Sequence, residues 1–302
     1  MISASDIFAI SSQKQFEKIA LKVFRYQYEN NIVYREFCEL LKTDSHKVKS
    51  LEQIPFLPIQ FFKSHNVVSN VNIIQETFTS SGTTGAVTSK HLVTDASIYE
   101  ESYRKGFSQF YGNIEDYVVL ALLPSYLERE GSSLIYMVED LIQLSNHSES
   151  GFYLHNHDEL IKKLIELDHS GQNVILIGVT YALLDLIEKQ QFQLQNTIIM
   201  ETGGMKGKRK EMIREELHQQ LCEGFGVSVI HSEYGMTELL SQAYSLGEGV
   251  FECPTWIQIL IRDTEDALTY IPQGKTGGIN VIDLANINSC SFIATQDLGK
   301  KN

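Results

Sequence analysis

Thr79-Ser80-Ser81-Gly82-Thr83-Thr84-Gly85 sets five hydroxyl side chains and two glycines in seven residues, directly after Ile73-Ile74-Gln75-Glu76-Thr77-Phe78, which alternates like a strand. A loop of that composition offers backbone N–H groups and hydroxyl donors to an oxygen-rich ligand, polyphosphate being the obvious candidate. The Gly-x-x-x-x-Gly-Lys-Ser/Thr spacing of a Walker loop is absent. Taken alone, the stretch reads equally well as a surface turn, because Ser, Thr and Gly cluster in turns. Two distant segments weigh against that reading: Glu233-Tyr234-Gly235-Met236-Thr237-Glu238, and the aspartate of Thr295-Gln296-Asp297-Leu298-Gly299.

Outward from the loop, strand-like and helix-like segments alternate. Tyr117–Leu123 and Asn173–Gly178 are continuous apolar runs of the buried-strand type, with helical patterns over Ser132–Leu144 and Tyr181–Gln190. Asp158 stands where it can cap a helix carrying Leu160, Ile161, Leu164 and Ile165 on one face. Asn196–Met200 and Val227–Ile230 read as strands flanking a helix over Lys210–Cys222. Such alternation predicts an α/β fold with a mostly parallel sheet covered by helices. Before it, residues 12–45 carry a broken helical stripe, and the prolines of Ile54–Pro58 impose an extended connection. After Gly235, short strand patterns at Trp256–Ile261, Gly278–Ile282 and Ser291–Ala294 suit a small antiparallel or barrel-like region. The expected organisation is therefore helical over 1–50, an α/β core over 51–235 and a β-rich part over 236–302.

With 302 residues, 43% of them hydrophobic, the chain can bury a sizeable core. A net charge of −13 disfavours nucleic acid and anionic membrane as partners. No stretch approaches the ~20 apolar residues of a membrane span, and Met1–Asp6 lacks the basic-then-apolar order of a signal peptide. Cys38, Cys222, Cys253 and Cys290 are scattered without a Cys-x-x-Cys pair, so a reducing cytoplasm is the expected compartment.

The loop at 79–85, the Tyr-Gly-x-Thr-Glu motif at 234–238 and Asp297, in that order, resemble the adenylate-forming acid ligases, which include acyl-CoA synthetases and luciferases. Within that superfamily the chain looks most like the acyl-protein synthetases of the bacterial luminescence fatty-acid reductase system, with phenylacetate–CoA ligases as cousins. Ile54–Lys63, Pro124–Arg129, Thr202–Gly207 and Asp283–Asn286 carry that closer match, and the resemblance covers nearly the whole chain. It implies the large N-terminal domain fold of these ligases, with ATP and Mg²⁺ as cofactors. A carboxylic acid, a fatty acid among the candidates, would be the substrate. A thiol on a protein or on CoA would accept the acyl group.

The resemblance also assigns roles. Ser80, Ser81, Gly82, Thr83, Thr84 and Gly85 would cradle the phosphates. Gly203 and Gly204 would let the base lie against backbone, Tyr234 followed by Gly235 would face the adenine ring, and Asp297 would bind the ribose hydroxyls. Thr237 would bond the α-phosphate and Glu238 would hold Mg²⁺, a hard cation suited to carboxylate oxygen. The pattern departs from the family in two places: Thr88 occupies the usual lysine position, leaving Lys90 as the candidate substitute, and Gln296 replaces a glycine.

Blander readings stand beside these. Glu233–Glu238 also reads as an ordinary helix start and Asp297 as a turn aspartate. Cys290 reads as a buried small hydrophobe more readily than as a nucleophile, and His155 and His157 lack a supporting ligand set. His231 reads as a strand-end histidine with a satisfied hydrogen bond, while Leu127 and the Tyr136-Met137 region are core or acyl-channel residues. The basic run Lys206–Lys210 is a solvated cluster or a docking surface. Because Asn302 lies five residues past Asp297, the small C-terminal domain of the superfamily is expected to be absent. The alternative function is then a catalytically incomplete nucleotide- or acyl-adenylate-binding module, or a subunit of an acyl-transfer complex.

Overall fold

The computed structural model describes residues 2–69, 73–80, 87–124, 131–154, 156–203, 209–210 and 212–301. Its strands are β1 (Leu57–Pro58), β2 (Glu76–Thr79), β3 (Lys90–Val93), β4 (Val118–Leu122), β5 (Gly151–Phe152), β6 (Val174–Val179), β7 (Thr197–Thr202), β8 (His231–Tyr234), β9 (Ala243–Ser245), β10 (Ile257–Arg262), β11 (Gly277–Asp283) and β12 (Phe292–Gly299). Its helices are α1 (Ala4–Phe8), α2 (Gln13–Asn30), α3 (Ile32–Leu40), α4 (Phe61–Ser64), α5 (Ala96–Tyr111), α6 (Ser133–Ser145), α7 (His157–His169), α8 (Thr180–Lys189) and α9 (Arg214–Phe225). They gather into two compact units. A terminal unit comprises Met1–Tyr103, Met236–Ser241 and Cys253–Asn302, and a central unit comprises Arg104–Gly235 and Gln242–Glu252.

The terminal unit holds a sheet of order β1-β12-β11-β10, antiparallel except where β1 joins β12 in parallel. β1 stands at the edge of this sheet, where Pro58 is tolerated, and Ile59 N donates to Ala294 O at 3.0 Å just past it. The helix expected over 12–45 is two helices broken at Asn31. The Asn31 Oδ1 accepts from Tyr34 N at 3.1 Å to cap α3, while its Nδ2 donates to Ser289 O at 2.9 Å. A fully buried amide with both ends committed cannot ride through a helix, so the chain turns there. Gln27 reinforces the contact, donating from Nε2 to Asn286 O and Ile287 O and accepting from Ser291 N. Phe24, Tyr34, Phe56 and Phe292 close the core with ring centroids 6.0–6.2 Å apart.

The central unit is built on a six-stranded sheet of order β5-β4-β6-β7-β8-β9, parallel except for β9. β4 and β6 are buried at every residue, as strands covered on both faces must be. Here two local expectations are corrected. The strand expected at Val227–Ile230 forms instead at His231–Tyr234, because Gly226 ends α9 in the left-handed region (φ +67°), donating its N–H to Cys222 O, and the following residues bring the chain back to the sheet. Asp158 lies in the first turn of α7, with Asn156 as the flanking residue, so it favours the helix by charge and not as a cap.

Candidate functional site

In the terminal unit, β2 and β3 form a hairpin that ends where the Ser/Thr/Gly loop begins. Thr79 pairs with Lys90, Ser80 N donates to Ser89 O at 3.1 Å, and Ser89 N donates to Ser80 Oγ at 2.9 Å. Ser80 is thus fixed at the loop's base, and exposed Lys90 stands on the opposite strand. Ser81, Gly82, Thr83, Thr84 and Gly85 lie outside the described residues. One position along from Lys90, fully buried His91 bonds Thr237 O through Nδ1 and Ser289 Oγ through Nε2, both at 2.9 Å. One neutral tautomer satisfies both, Nδ1–H donating to the carbonyl and Nε2 accepting from the hydroxyl. Burial holds the imidazole neutral, its pKa depressed to about 4 against a partial rise from the Thr237 carbonyl.

The segment after Gly235 does not begin a helix; its residues are held one by one. Asn286 Nδ2 donates to Glu238 O at 2.8 Å. Asp283 accepts from Leu240 N at 2.9 Å and from Ser241 Oγ at 2.7 Å. Glu238 itself is 5% exposed. Burial raises its carboxyl's proton affinity, the Ser89 hydroxyl and the Lys63 charge pull it back, and the charge of Asp297 adds to the rise. Asp283 and Asn286, which carried the family likeness without an assigned role, are therefore what holds the Thr-Glu motif in place. Asp297 is exposed on β12, its N–H donating to Thr295 Oγ1 at 3.2 Å.

The central unit presents its polar residues at the carboxyl ends of β7 and β8, where parallel sheets place ligands. Gly203 follows β7 in the left-handed region (φ +66°), its carbonyl accepting from Thr180 Oγ1, and Gly204 lies outside the described residues. Tyr234 ends β8 with its ring edge-on to Phe251 at 6.0 Å, and the Arg214 guanidinium sits 5.0 Å above Phe251. Gly235 leaves room for its neighbour, since a Cβ there would lie 2.6 Å from Glu233 Oε1. Glu233 is buried and accepts from Thr202 Oγ1; burial raises its pKa to about 7 against that bond, with the Glu201 charge adding to the rise. Glu201 is buried too, but the Arg214 guanidinium at 2.9 Å, with His218 Nε2 3.6 Å away and the Ser232 hydroxyl nearby, outweighs desolvation and lowers its pKa. This Glu201–Arg214–His218 group had only a weak sequence signal, polar Glu201 and Thr202 ending an apolar strand.

Cys290 is fully buried, its Sγ donating to Phe292 O and its thiol pushed well up by desolvation, which removes it as a nucleophile. His231 opens β8 and meets Tyr111 Oη at 3.2 Å through Nδ1. Met137 lines an apolar cavity of about 20 Å³ with Phe107, Val119, Ile177 and Met200. Leu127, His155 and Lys206–Lys208 are outside the described residues. Among the described residues, no three His, Cys, Asp or Glu side chains group as a metal site, and no helix is long and apolar enough to cross a membrane. A buried carboxylate such as Glu238 still fits Mg²⁺, which binds through one or two carboxylates and takes its remaining ligands from phosphate and water.

The α/β architecture is that of the large domain of adenylate-forming ligases. The 2-hydroxyisobutyryl-CoA ligase in its postadenylation state superposes with a TM-score of 0.67 at 14% identity, over 95% of this chain and 63% of that one. ATP-bound MatB from Rhodopseudomonas palustris superposes with a TM-score of 0.55 at 14% identity, over 75% of this chain and 46% of its own. The chain thus spans about half to two thirds of these solved ligases. Residues 1–301 match the family described as "Acyl-protein synthetase, LuxE", and the chain belongs to that family. Among its relatives, the long-chain-fatty-acid–luciferin-component ligase of Vibrio harveyi is 25% identical over 97% of this chain and 81% of its own length. The ligase of the same description from Photorhabdus luminescens is 35% identical over 28% of this chain and 76% of its own.

Proposed function

We propose that this chain activates a carboxylic acid with ATP and passes the acyl group to a thiol, a protein cysteine before CoA. The observation that carries the reading is the pinned Thr237–Ser241 segment, which sets a buried carboxylate, Glu238, within the electrostatic reach of Lys63 and Asp297. In the first step the acid's carboxylate attacks the α-phosphorus. A new P–O bond forms, the bridging α–β bond breaks, and pyrophosphate leaves. In the second step the thiol attacks the acyl carbon, releasing AMP and giving its proton to solvent or base. Mg²⁺ held through Glu238 would neutralise phosphate charge in the first step.

The chain's own residues hold and orient. Ser80 at the hairpin base, with Ser81, Gly82, Thr83, Thr84 and Gly85 beyond it, meets the phosphates. Lys90 adds a cation beside them, and Thr237 bonds the α-phosphate. Gly203, Gly204, Tyr234 and Gly235 receive adenine, and Asp297 accepts from the ribose hydroxyls. The names of the relatives favour a long-chain acid. The acceptor thiol is separate from buried Cys290 and Cys38.

Calorimetric titration with acyl-sulfamoyl adenosines of increasing chain length tests the reading, with Asp297→Ala as control and pyrophosphate exchange as second readout. Tight, length-selective binding lost in the control, together with exchange, is the expected result. Binding without exchange favours the catalytically incomplete module, and no binding sinks the ligase reading.

A further inference from the structure

The strand that carries Asp297 is irregular at that residue. β11 and β12 pair Asn280 with Ala294 and Gly278 with Leu298, so Ile279 alone faces Thr295, Gln296 and Asp297. This is a bulge with two extra residues in β12, the kind of defect that re-aims a side chain. Bulged backbone loses ladder partners, and Arg262 of β10 together with Thr295 supplies them. Arg262 Nη1 donates to Ile279 O at 2.7 Å and to Asn280 Oδ1 at 2.8 Å, and Nη2 donates to Thr295 O at 2.6 Å. Thr295 Oγ1 donates to the same Ile279 O at 3.0 Å and accepts from Asp297 N. A chain of hydrogen bonds therefore runs from the guanidinium to the backbone of Asp297.

The room for this clamp is also built in. Gly278 faces Arg262 across the ladder, and a Cβ on Gly278 would lie 2.6 Å from the guanidinium carbon. Only a forked, planar cation reaches carbonyls on both sides of the bulge at once; a lysine ammonium is a single point.

We propose that Arg262 is a positioning residue for nucleotide binding, holding open the β12 bulge that sets the Asp297 carboxylate. The proposal rests on the reading of Asp297 as the ribose-binding group. It predicts that Arg262, whose guanidinium is committed to Ile279 O, Asn280 Oδ1 and Thr295 O, governs discrimination for the ribose hydroxyls.

The test is titration of the full chain with dodecanoyl-sulfamoyl adenosine and its 2′,3′-dideoxy counterpart. The native chain is expected to prefer the hydroxylated ligand by roughly 10- to 100-fold, the worth of hydrogen bonds to a charged acceptor. Arg262→Met should erase most of that preference while leaving the dideoxy ligand's affinity unchanged, and should add nothing on an Asp297→Ala background. Arg262→Lys should keep part of the preference, and it carries the test if the methionine variant does not fold. Equal loss for both ligands, or full preference in both Arg262 variants, overturns the proposal. Preference that survives Asp297→Ala overturns the ribose reading itself, a failure that shows without any change at Arg262.

Discussion

Glu238 illustrates how one residue can be costly to the fold and necessary to the chemistry. Its carboxylate is buried, with a raised proton affinity, near the like charge of Asp297. Ionised it is a burden in the unliganded chain and a ligand for a hard cation in the loaded one. Glu238→Gln keeps the shape and an oxygen able to accept from Ser89, while removing the charge. Thermal melting of this variant should give a midpoint equal to or above the native one. Pyrophosphate exchange should fall by roughly 10²- to 10³-fold, the usual scale for removing a charge-stabilising group. A lower midpoint with intact exchange would make Glu238 a structural carboxylate. This residue was legible in the sequence through the Thr-Glu motif. His91 was not, because nothing local marks a histidine whose partners, Thr237 and Ser289, lie 146 and 198 residues away.

Among the elements, Asn31 is the joint on which two helices turn, and its loss removes a cap and strands a buried carbonyl together. Asn31→Ala would leave Tyr34 N and Ser289 O without these partners, so chemical denaturation should show a loss of about 2–4 kcal/mol. A change within 0.5 kcal/mol would mean that solvent or neighbours satisfy both groups. The apolar stripe over residues 12–45 ran past Asn31 because periodicity records which face is buried, not whether the backbone stays helical between. β4, β6 and β7 were readable within a residue or two, being apolar runs longer than the turns around them. β8 was displaced because Val227–Ile230 is the most strand-like stretch by composition, whereas the ladder begins at His231, whose partner is Met200. Pairing between β1 and β12 joins Leu57 to Ile293 and leaves no local trace at either end.

For the whole molecule, each of the two units carries its own buried titratable groups, and each group links stability to pH in its own window. In the terminal unit, two buried groups oppose each other. His91, depressed to about 4, contributes stability above pH 6.5 that is lost as pH falls. Asp283, raised by burial to about 6, contributes stability below pH 3.8 that is lost as pH rises. In the central unit burial raises Glu233 from 4.5 to about 7, so its contribution is present below pH 4.5 and lost as pH rises through 7. Depressed His231 works in the opposite sense, and Glu201 acts only below its ordinary range. Comparison with Glu233→Gln at matched pH isolates the contribution of Glu233, since glutamine accepts from Thr202 without titrating. The variant's advantage should grow by on the order of 3 kcal/mol between pH 4.5 and 7. Native-state hydrogen exchange at the amides of Met200–Thr202 and Ser232–Tyr234 should record it. An advantage constant across that range would mean that Glu233 keeps an ordinary carboxylate pKa, its burial offset by contacts stronger than the Thr202 hydroxyl.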